Sequence, residues 1–251
     1  MITLQDAIKI RRSRRRYIPI PLKSSDAAKL QELIEEYYNK ENLDIRLVID
    51  NGNAFGGLRK SYGMFSGVRN YFGLIGNNSD PVYLEKLGYY GELLILHATA
   101  LGLGTCWVGG TFHRASCPFD LMEGDCIICV VTIGCVSEEL SVREKFIHKL
   151  THRKTKTAEQ MYKSASPVPD WFLSGMEAVK AAPSAVNRQP VMFEYKDDNV
   201  TAAVGDITGE GLALDLGIAK LHFEIGAGSG SWEFGNGARF IKTCEQIHDN
   251  Q

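Results

Sequence analysis

The sequence predicts an α+β fold built from two halves, each with helices packed on a sheet. Three observations support this prediction: helical apolar patterns, short apolar strand patterns, and a Ser- and Pro-rich stretch from Ser164 to Pro169 that separates two sets of them. That stretch is the best candidate for a linker. The halves are therefore expected to cover residues 1–163 and 164–251, and no direct sequence repeat relates them.

The first half begins with two helices and continues with strands. Thr3 and Asp6 have the spacing of a capping box, and Ser25-Asp26 is expected to cap a second helix that ends near Lys40. Between these helices, Ile18-Pro19-Ile20-Pro21 requires extended backbone. Apolar runs then predict strands at residues 43–50, 70–76 and 126–134, and a long, largely buried helix at residues 84–101.

The second half has the same mixture of element types. Asp170 is expected to begin a helix that leads directly into the segment around Pro183. Residues 192–195 and 200–204 alternate or cluster apolar side chains and are separated by four polar residues, which predicts a β-hairpin. Residues 212–225 predict a further helix.

The composition is that of an ordinary soluble globular protein. Of the 251 residues, 44% are hydrophobic and 23% are charged, and the net charge of −2 gives no general attraction to nucleic acid or anionic membranes. No apolar run approaches the roughly 18 residues of a membrane span. The N-terminus lacks the order of a secretory signal. We therefore expect a cytoplasmic protein.

The six cysteines do not predict a disulfide framework in a chain of 251 residues. Cys126 and Cys129 have the spacing of a redox or zinc site, but they lie within a continuous apolar strand pattern. Residues three apart on a strand point to opposite faces, so the two thiols should diverge. We expect buried core cysteines here and no metal site anywhere, because the six histidines also lack metal-binding spacing.

Five arginines surround Ser13 between residues 11 and 16. Such a run can be a solvated surface, or a nucleic-acid or localisation patch. This one follows a capped amphipathic helix and precedes an apolar segment, so we expect it to be docked on the protein. Alternate residues of an extended segment face the same way, which would direct Arg11, Ser13 and Arg15 toward a common anion. Guanidinium groups and a hydroxyl suit phosphate and polyol oxygens.

Three other segments are candidates for binding. Residues 182–190, Ala-Pro-Ser-Ala-Val-Asn-Arg-Gln-Pro, form a rigid turn that could meet a ligand or simply connect a helix to a strand. Residues 102–110, Gly-Leu-Gly-Thr-Cys-Trp-Val-Gly-Gly, follow a helix, which excludes a dinucleotide-binding loop because that loop follows a strand. Residues 151–154, Thr-His-Arg-Lys, are a short basic segment.

Together these segments resemble motifs of the FMN-dependent nitroreductase family, among them Arg-x-Ser-x-Arg and Pro-Ser-x-x-Asn-x-Gln-Pro. The resemblance implies that the first motif holds the FMN phosphate, ribityl chain and ring edge. It implies that a backbone N–H near Gly109 and Gly110 points at flavin N5, and that the Pro-Ser motif reaches the flavin across a subunit interface. It also implies that the basic segment completes the phosphate site.

The cofactor-binding residues implied by this resemblance are Arg11, Arg12, Ser13, Arg15, Trp107, Gly109, Gly110, Arg153, Pro183, Ser184, Ala185 and Asn187. Two positions depart from the family pattern: Val191 replaces the usual Trp, and Gly109 replaces a frequent Glu. The first motif occurs only in the first half and the Pro-Ser motif only in the second. The resemblance therefore implies a nitroreductase-like fold whose two fused half-domains form an intramolecular pseudo-dimer with a single FMN site.

The implied function is that of an FMN-dependent oxidoreductase. NADH or NADPH would reduce the flavin, and a nitroaromatic, a quinone or a similar acceptor would then be reduced in a ping-pong sequence. No protein acid, base or nucleophile is expected, because the cofactor carries the chemistry. The expected partner is this small-molecule acceptor, with no nucleic acid or membrane, and the chain is expected to be a monomer with an internal pseudo-dimer or a weak homodimer. The alternatives are an FMN-binding storage or sensor protein and a nucleic-acid-binding arm at Arg11–Arg16.

Overall fold

The computed structural model describes residues 2–56, 61, 63–151, 155–205 and 211–243. The elements before residue 157 are α1 (Leu4–Ile10), α2 (Ser24–Glu41), β1 (Asp44–Val48), β2 (Asn70–Gly76), α3 (Pro81–Ala100), β3 (Gly104–Val108), β4 (Cys126–Gly134) and α4 (Val142–Thr151). Those that follow are β5 (Tyr162–Ser164), α5 (Asp170–Lys180), β6 (Met192–Lys196), β7 (Asn199–Ala203), α6 (Leu212–Ala227), β8 (Ser231–Trp232) and β9 (Arg239–Ile241). The predicted α+β class is confirmed.

The first sheet has four antiparallel strands in the order β1-β2-β4-β3. The two central strands are the continuous apolar runs, and the bounds of β2 and β4 are those predicted from the sequence. Because successive side chains point to opposite faces, Phe72 and Leu74 pack with helices α2 and α3, whereas Tyr71 packs with Phe55 and Phe65 on the other side. The sheet is thus buried on both faces.

The second sheet has five strands in the order β5-β6-β7-β9-β8. Strands β5 and β6 are parallel, and β6 and β7 form the predicted antiparallel hairpin. Helices α5 and α6 contribute to an aromatic core in which Phe172, Phe193 and Phe223 are fully buried. Since β5 belongs to this sheet, the expected boundary between residues 163 and 164 falls inside a strand.

Two helix-start predictions have different outcomes. The predicted cap of α1 is confirmed, because the Thr3 hydroxyl accepts a hydrogen bond from the Asp6 N–H at 3.1 Å. The predicted cap of α2 at Ser25-Asp26 is wrong. That helix begins at Ser24, and Lys23 stands at the capping position without a side-chain hydrogen bond. Its stability therefore comes from the packing of its apolar face rather than from a cap.

The cysteine prediction is correct for Cys129 and wrong for Cys126. Cys129 is buried in the core against α3, whereas Cys126 is exposed because it is the first residue of β4. Both are free thiols. In the described ranges no group of three His, Cys, Asp or Glu side chains could hold a metal ion. The Cys-x-x-Cys spacing thus arises because both cysteines belong to strand β4, one at its exposed start and one in its buried part.

Helices α3 and α6 join the two sheets. They approach so closely that a methyl group on Gly88 would clash with the Leu214 backbone, and one on Gly217 would clash with the Glu85 backbone. Helix α1 packs against both helices through Ala7 and Ile8. Helices α3 and α6 are apolar because they are buried between the two sheets. In the described part of the chain, no helix is long and apolar enough to cross a membrane.

Candidate functional site

A cavity of about 330 Å³ lies where the first sheet meets helix α6 and the loop after helix α5. Nine of the predicted site residues line it: Ser13, Arg15, Trp107, Gly109, Gly110, Pro183, Ser184, Ala185 and Asn187. Arg11 and Arg12 are not among its lining residues, and Arg153 lies outside the described residues. The cavity therefore combines residues from three sequence segments that lie far apart in the chain.

The arginine run is docked on the protein in extended conformation, as predicted. The Arg14 N–H donates to the Thr105 carbonyl at 2.8 Å, so that the run lies beside strand β3. On its other side, the Tyr17 N–H donates to the Ser66 carbonyl at 2.9 Å. The extended backbone alternates its side chains, which places Ser13 and Arg15 at the cavity and buries Arg14 elsewhere.

Glu144 of helix α4 fixes the conformation of this run. Its Oε1 accepts hydrogen bonds from the backbone N–H groups of Arg15 at 2.9 Å and Arg16 at 3.2 Å, and from the Arg14 Nε at 3.2 Å. Burial alone would raise the pKa of this carboxyl. The hydrogen bonds from Arg15, Ser141 and Arg14 outweigh burial and lower the pKa to about 2. Glu144 is thus ionised at neutral pH and positions Arg15.

Arg11 and Arg12 do not line the cavity and contact other groups of the protein. The Arg11 Nε lies 3.5 Å from Oε1 of the fully buried Glu92, and the Arg12 guanidinium donates to the carbonyls of Lys9 at 3.0 Å and of Arg11 at 2.8 Å. In contrast, no carboxylate in the described ranges forms an ion pair with the Arg15 guanidinium. The geometry therefore supports the prediction for Ser13 and Arg15, and it gives no support for Arg11 and Arg12.

The buried Glu92 carboxylate connects the cavity wall to helices α5 and α6. Its Oε2 accepts a hydrogen bond from the Trp107 indole at 2.7 Å, and its Oε1 lies 3.0 Å from Nε2 of the buried His222. The other ring nitrogen of His222 lies 3.1 Å from the Ala178 carbonyl. These contacts fix the Trp107 side chain, whose ring packs against Gly91 of helix α3.

Gly109 and Gly110 present open backbone to the cavity. A methyl group on either residue would meet no atom within 4 Å, so the space in front of this peptide is free. The Arg114 guanidinium donates to the Gly109 carbonyl at 3.1 Å. Because the peptide unit is planar and trans, the Gly110 N–H points away from Arg114. Arg114 was not predicted, and its sequence position carries no signal of this role.

The loop after helix α5 is strained and heavily tied down. Val186, Asn187 and Gln189 have φ angles of 47°, 53° and 48°, in the left-handed region that disfavours β-branched residues above all. The Gln189 N–H donates to the Ser184 hydroxyl at 2.9 Å, and its side-chain oxygen accepts from the Lys156 N–H at 2.8 Å. Strained residues held by such contacts cluster at functional sites. The loop therefore has a fixed shape where it lines the cavity.

A family model described as "Putative TM nitroreductase" matches residues 3–227. The chain belongs to this nitroreductase family. The solved structure of a protein described as a putative nitroreductase, from Thermotoga maritima, is 18% identical with a TM-score of 0.64, covering 96% of this chain and 93% of that one. An FMN-dependent nitroreductase from Clostridium difficile and a nitroreductase with bound FMN from Bacteroides fragilis are each 16% identical. The Clostridium difficile structure has a TM-score of 0.44, and the match covers 59% of this chain and 97% of that one. The Bacteroides fragilis structure has a TM-score of 0.42, and the match covers 57% of this chain and 92% of that one. No curated protein matches the sequence.

As a member of the nitroreductase family, the protein is an oxidoreductase with the nitroreductase-like fold. Val191 is one of its departures from the family pattern, and the structure explains how this departure is accommodated. Its side chain is buried in the core of the second sheet, together with Val179 and Ala219. The smaller residue therefore contributes to that core and does not line the cavity.

Proposed function

We propose that this nitroreductase is an FMN-dependent oxidoreductase that uses NADH or NADPH to reduce nitroaromatics, quinones or similar acceptors. The observation that carries the proposal is that three segments line one cavity: Ser13 with Arg15, the Gly109-Gly110 peptide, and the loop from Pro183 to Asn187. A relative from Bacteroides fragilis, described as having bound FMN, supports the choice of cofactor.

The proposal includes a division of the chain into two halves that form an internal pseudo-dimer. The predicted division between residues 163 and 164 would then move to just before Tyr162, so that the whole of strand β5 lies in the second half, because it pairs with β6. Support comes from the two separate sheets and their separate cores, which meet at helices α3 and α6. The single site would then lie between the halves, and no second copy of the chain would be needed.

The residues at the cavity fit FMN. The volume of about 330 Å³ lies within the range of roughly 300–1,000 Å³ that is typical of small-molecule sites. Its walls include the apolar side chains of Phe65, Leu214 and Ile218, which suit an aromatic ring system. The open space at Gly109-Gly110 admits a ligand to the backbone, and the Arg15 guanidinium, which has no carboxylate partner among the described residues, suits a phosphate or a ring carbonyl.

Bound FMN would supply reversible two-electron chemistry, and the protein would hold and tune it. In the proposed arrangement, Arg15 and Ser13 would hold polar groups of the cofactor, and the Gly110 N–H would be available to it as a backbone donor. The rigid loop from Pro183 to Asn187 closes the cavity and excludes water. Positive charge and an N–H donor next to the ring favour its reduced, anionic form.

The proposal predicts one FMN per chain and electron transfer from NADH to a quinone. The measurement is the absorption spectrum of protein reconstituted with FMN, followed by NADH oxidation after a quinone is added. Bound FMN without turnover would favour a storage or sensor protein. A ratio near two FMN per chain would contradict a single site between the halves.

A second prediction concerns the arginine run. Arg15→Ala should weaken FMN binding by about 1.5–3 kcal/mol, roughly ten- to hundredfold in Kd, the range for charge-assisted hydrogen bonds. The matched control is Arg12→Ala, which removes an exposed guanidinium that donates to the Lys9 and Arg11 carbonyls and does not line the cavity, and which should change Kd by less than about threefold. Fluorescence titration of FMN measures both constants. Equal losses for the two variants would indicate attraction by diffuse positive charge.

A further inference from the structure

A second cavity, of about 290 Å³, adjoins the cavity of the candidate site. Arg15, Met64 and Phe65 line both cavities and therefore form a shared wall. The second cavity, called the arginine cavity below, is also lined by Arg16 and by Arg143 in the first turn of helix α4. Both of these residues are exposed, so the arginine cavity is open to water.

The arginine cavity carries positive charge that no carboxylate balances in the described part of the chain. Arg15, Arg16 and Arg143 line it, and none of their guanidinium groups forms an ion pair with a described residue. Glu144 also lines the cavity, but its charge is matched by the buried Arg14, whose Nε lies 3.2 Å from Glu144 Oε1. Three unbalanced positive charges around one cavity repel one another. An anion bound there would relieve that repulsion.

The Arg143 guanidinium is held at the edge of this cavity. Its Nη2 donates to the Gly63 carbonyl, and both residues line the cavity. This contact uses one of the five N–H donors of the guanidinium, and no other partner of that group occurs among the described residues. Glu144 cannot take the remaining donors, because its Oε2 already accepts from the Ser141 N–H and hydroxyl, both at 2.8 Å. Arg143 is thus positioned by the protein and available to a ligand.

We propose that the arginine cavity binds the 2′-phosphate of NADPH, so that the protein uses NADPH in preference to NADH. This inference rests on the proposed function and specifies the electron donor. The nicotinamide ring has to meet the flavin in the cavity of the candidate site, which has a volume of about 330 Å³. A dinucleotide is too large to fit there beside FMN, so its adenosine end has to lie in an adjoining space. The shared wall at Arg15, Met64 and Phe65 makes the arginine cavity that space.

The lining suits a phosphate monoester in particular. Such a group carries about 1.5–2 negative charges at neutral pH and three acceptor oxygens. Guanidinium groups bind two of these oxygens at once, and the exposed Ser66 in the same lining can add a hydroxyl donor. The opening to water suits a donor that enters and leaves in each turnover, and exposed positive charge attracts an anionic donor from a distance. NADH lacks the 2′-phosphate and would leave these charges unbalanced.

The first test measures binding without turnover. Calorimetric titration of the FMN-loaded protein compares adenosine 2′,5′-bisphosphate, which is part of NADPH, with adenosine 5′-monophosphate, which is part of NADH. We expect wild type to bind the bisphosphate about 100-fold more tightly, within the range for charge-assisted hydrogen bonds. Arg143→Gln should reduce this advantage about tenfold, a modest loss because water screens an exposed arginine.

The matched control is Lys145→Gln on the same helix. It removes the same charge from an exposed residue that does not line the arginine cavity and lies 3.9 Å from Glu139. The advantage of the bisphosphate should stay within about twofold of wild type, because an exposed charge away from the ligand is screened. Equal losses in Arg143→Gln and Lys145→Gln would indicate attraction by diffuse charge and would overturn a phosphate site.

The second test measures the ratio of kcat/KM for NADPH to kcat/KM for NADH, with a quinone as acceptor. The ratio should be about 100 in wild type, and it should fall about tenfold in Arg143→Gln. Arg16→Gln should lower the ratio as well, and this variant decides the matter if Arg143→Gln does not fold. A ratio that is unchanged in the folded arginine variants would overturn the proposal.

The outcomes separate this inference from the function on which it rests. Wild-type protein that oxidises NADH and NADPH equally well would overturn the NADPH site and leave the oxidoreductase standing. Wild-type protein that oxidises neither donor would overturn the proposed function, and the calorimetry would still decide whether the phosphate site exists. Equal losses for both donors in Arg143→Gln would mean that the cavity holds their shared pyrophosphate. Weaker binding of FMN with unchanged binding of riboflavin would place the FMN phosphate there, and either result would overturn the assignment.

Discussion

Gly217→Ala should lower the free energy of unfolding by about 3 kcal/mol or more, the upper part of the range for overpacked cores. A methyl group at this position would overlap the Glu85 carbonyl and would come within 2.7 Å of the Tyr89 N. Both contacts are with the backbone of helix α3, which cannot turn aside as a side chain can. The two helices must therefore separate, and the contact between the two sheets must loosen.

The sign of this effect distinguishes packing from helix propensity. Propensity alone would make the alanine variant more stable by about 1 kcal/mol. The matched control is Gly56→Ala, where an added methyl group would come no closer than 3.7 Å to the Asn53 carbonyl and the backbone has φ −68°. Because this is an ordinary van der Waals distance and an ordinary conformation for alanine, the control should lose no stability. Urea denaturation measures both variants, and a midpoint for Gly217→Ala at or above that of wild type would show that the helices do not touch here.

The strands and helices show which elements a sequence pattern can predict and which it cannot. The strands β2 and β4 were predicted with correct bounds because a strand buried on both faces is a continuous apolar run. Strand β3 was missed because it lies within a glycine-rich stretch, and the short strands β8 and β9 have too few residues for a pattern. Helix α4 was missed because four of its ten residues are charged and interrupt the apolar pattern.

The same limit applies to the candidate site. Alternation along an extended chain predicts that Ser13 and Arg15 face the same way, and both residues line the cavity. The same argument placed Arg11 with them, but Arg11 lies beside Glu92, a carboxylate 81 positions further along the chain (92 − 11 = 81). Partners so far apart in sequence are set by the fold, so no local pattern could have identified them.

Asp215 illustrates the same limit within one helix. Helix α6 is largely apolar and carries two buried charged residues, Asp215 and Lys220. Charged residues in an otherwise apolar helix are a sequence signal of buried polar contacts. The sequence cannot distinguish their roles, however. The structure shows that Lys220 makes three contacts to oxygen atoms, whereas one oxygen of Asp215 has no partner in the described ranges.

Lys220→Ala should cost about 3–5 kcal/mol of stability, the range for breaking a buried ion pair by removing one partner. The ammonium group is fully buried and donates to Glu85 Oε1 at 2.5 Å and to the carbonyls of Glu233 at 3.1 Å and Gly235 at 3.0 Å. All three of its protons are therefore satisfied. Burial lowers the pKa of Lys220, and Glu85 opposes this effect. Without the lysine, the Glu85 carboxylate would remain buried, and the Gly235 N–H would be its one remaining donor in the part of the chain that the structure describes.

The control for this prediction is an ion pair of similar length at the surface. Lys180 lies 2.7 Å from Glu177 on helix α5, where both side chains are partly exposed to water. Lys180→Ala should change stability by less than about 1 kcal/mol, because water replaces the lost interaction. Chemical denaturation of both variants under the same conditions gives the comparison. Equal losses in the free energy of unfolding would show that the Lys220–Glu85 pair stabilises the protein no more than a surface ion pair does.

A double-mutant cycle then tests whether the loss comes from the uncompensated charge. Lys220→Met and Glu85→Gln should each be destabilising, since each leaves one buried charge without its partner. The double variant removes both charges, and it should be more stable than the sum of the single losses predicts. The carbonyls of Glu233 and Gly235 would still lack a donor, so recovery should be incomplete. Strictly additive losses would mean that Lys220 stabilises the junction of helices α3 and α6 through those two carbonyls, independently of Glu85.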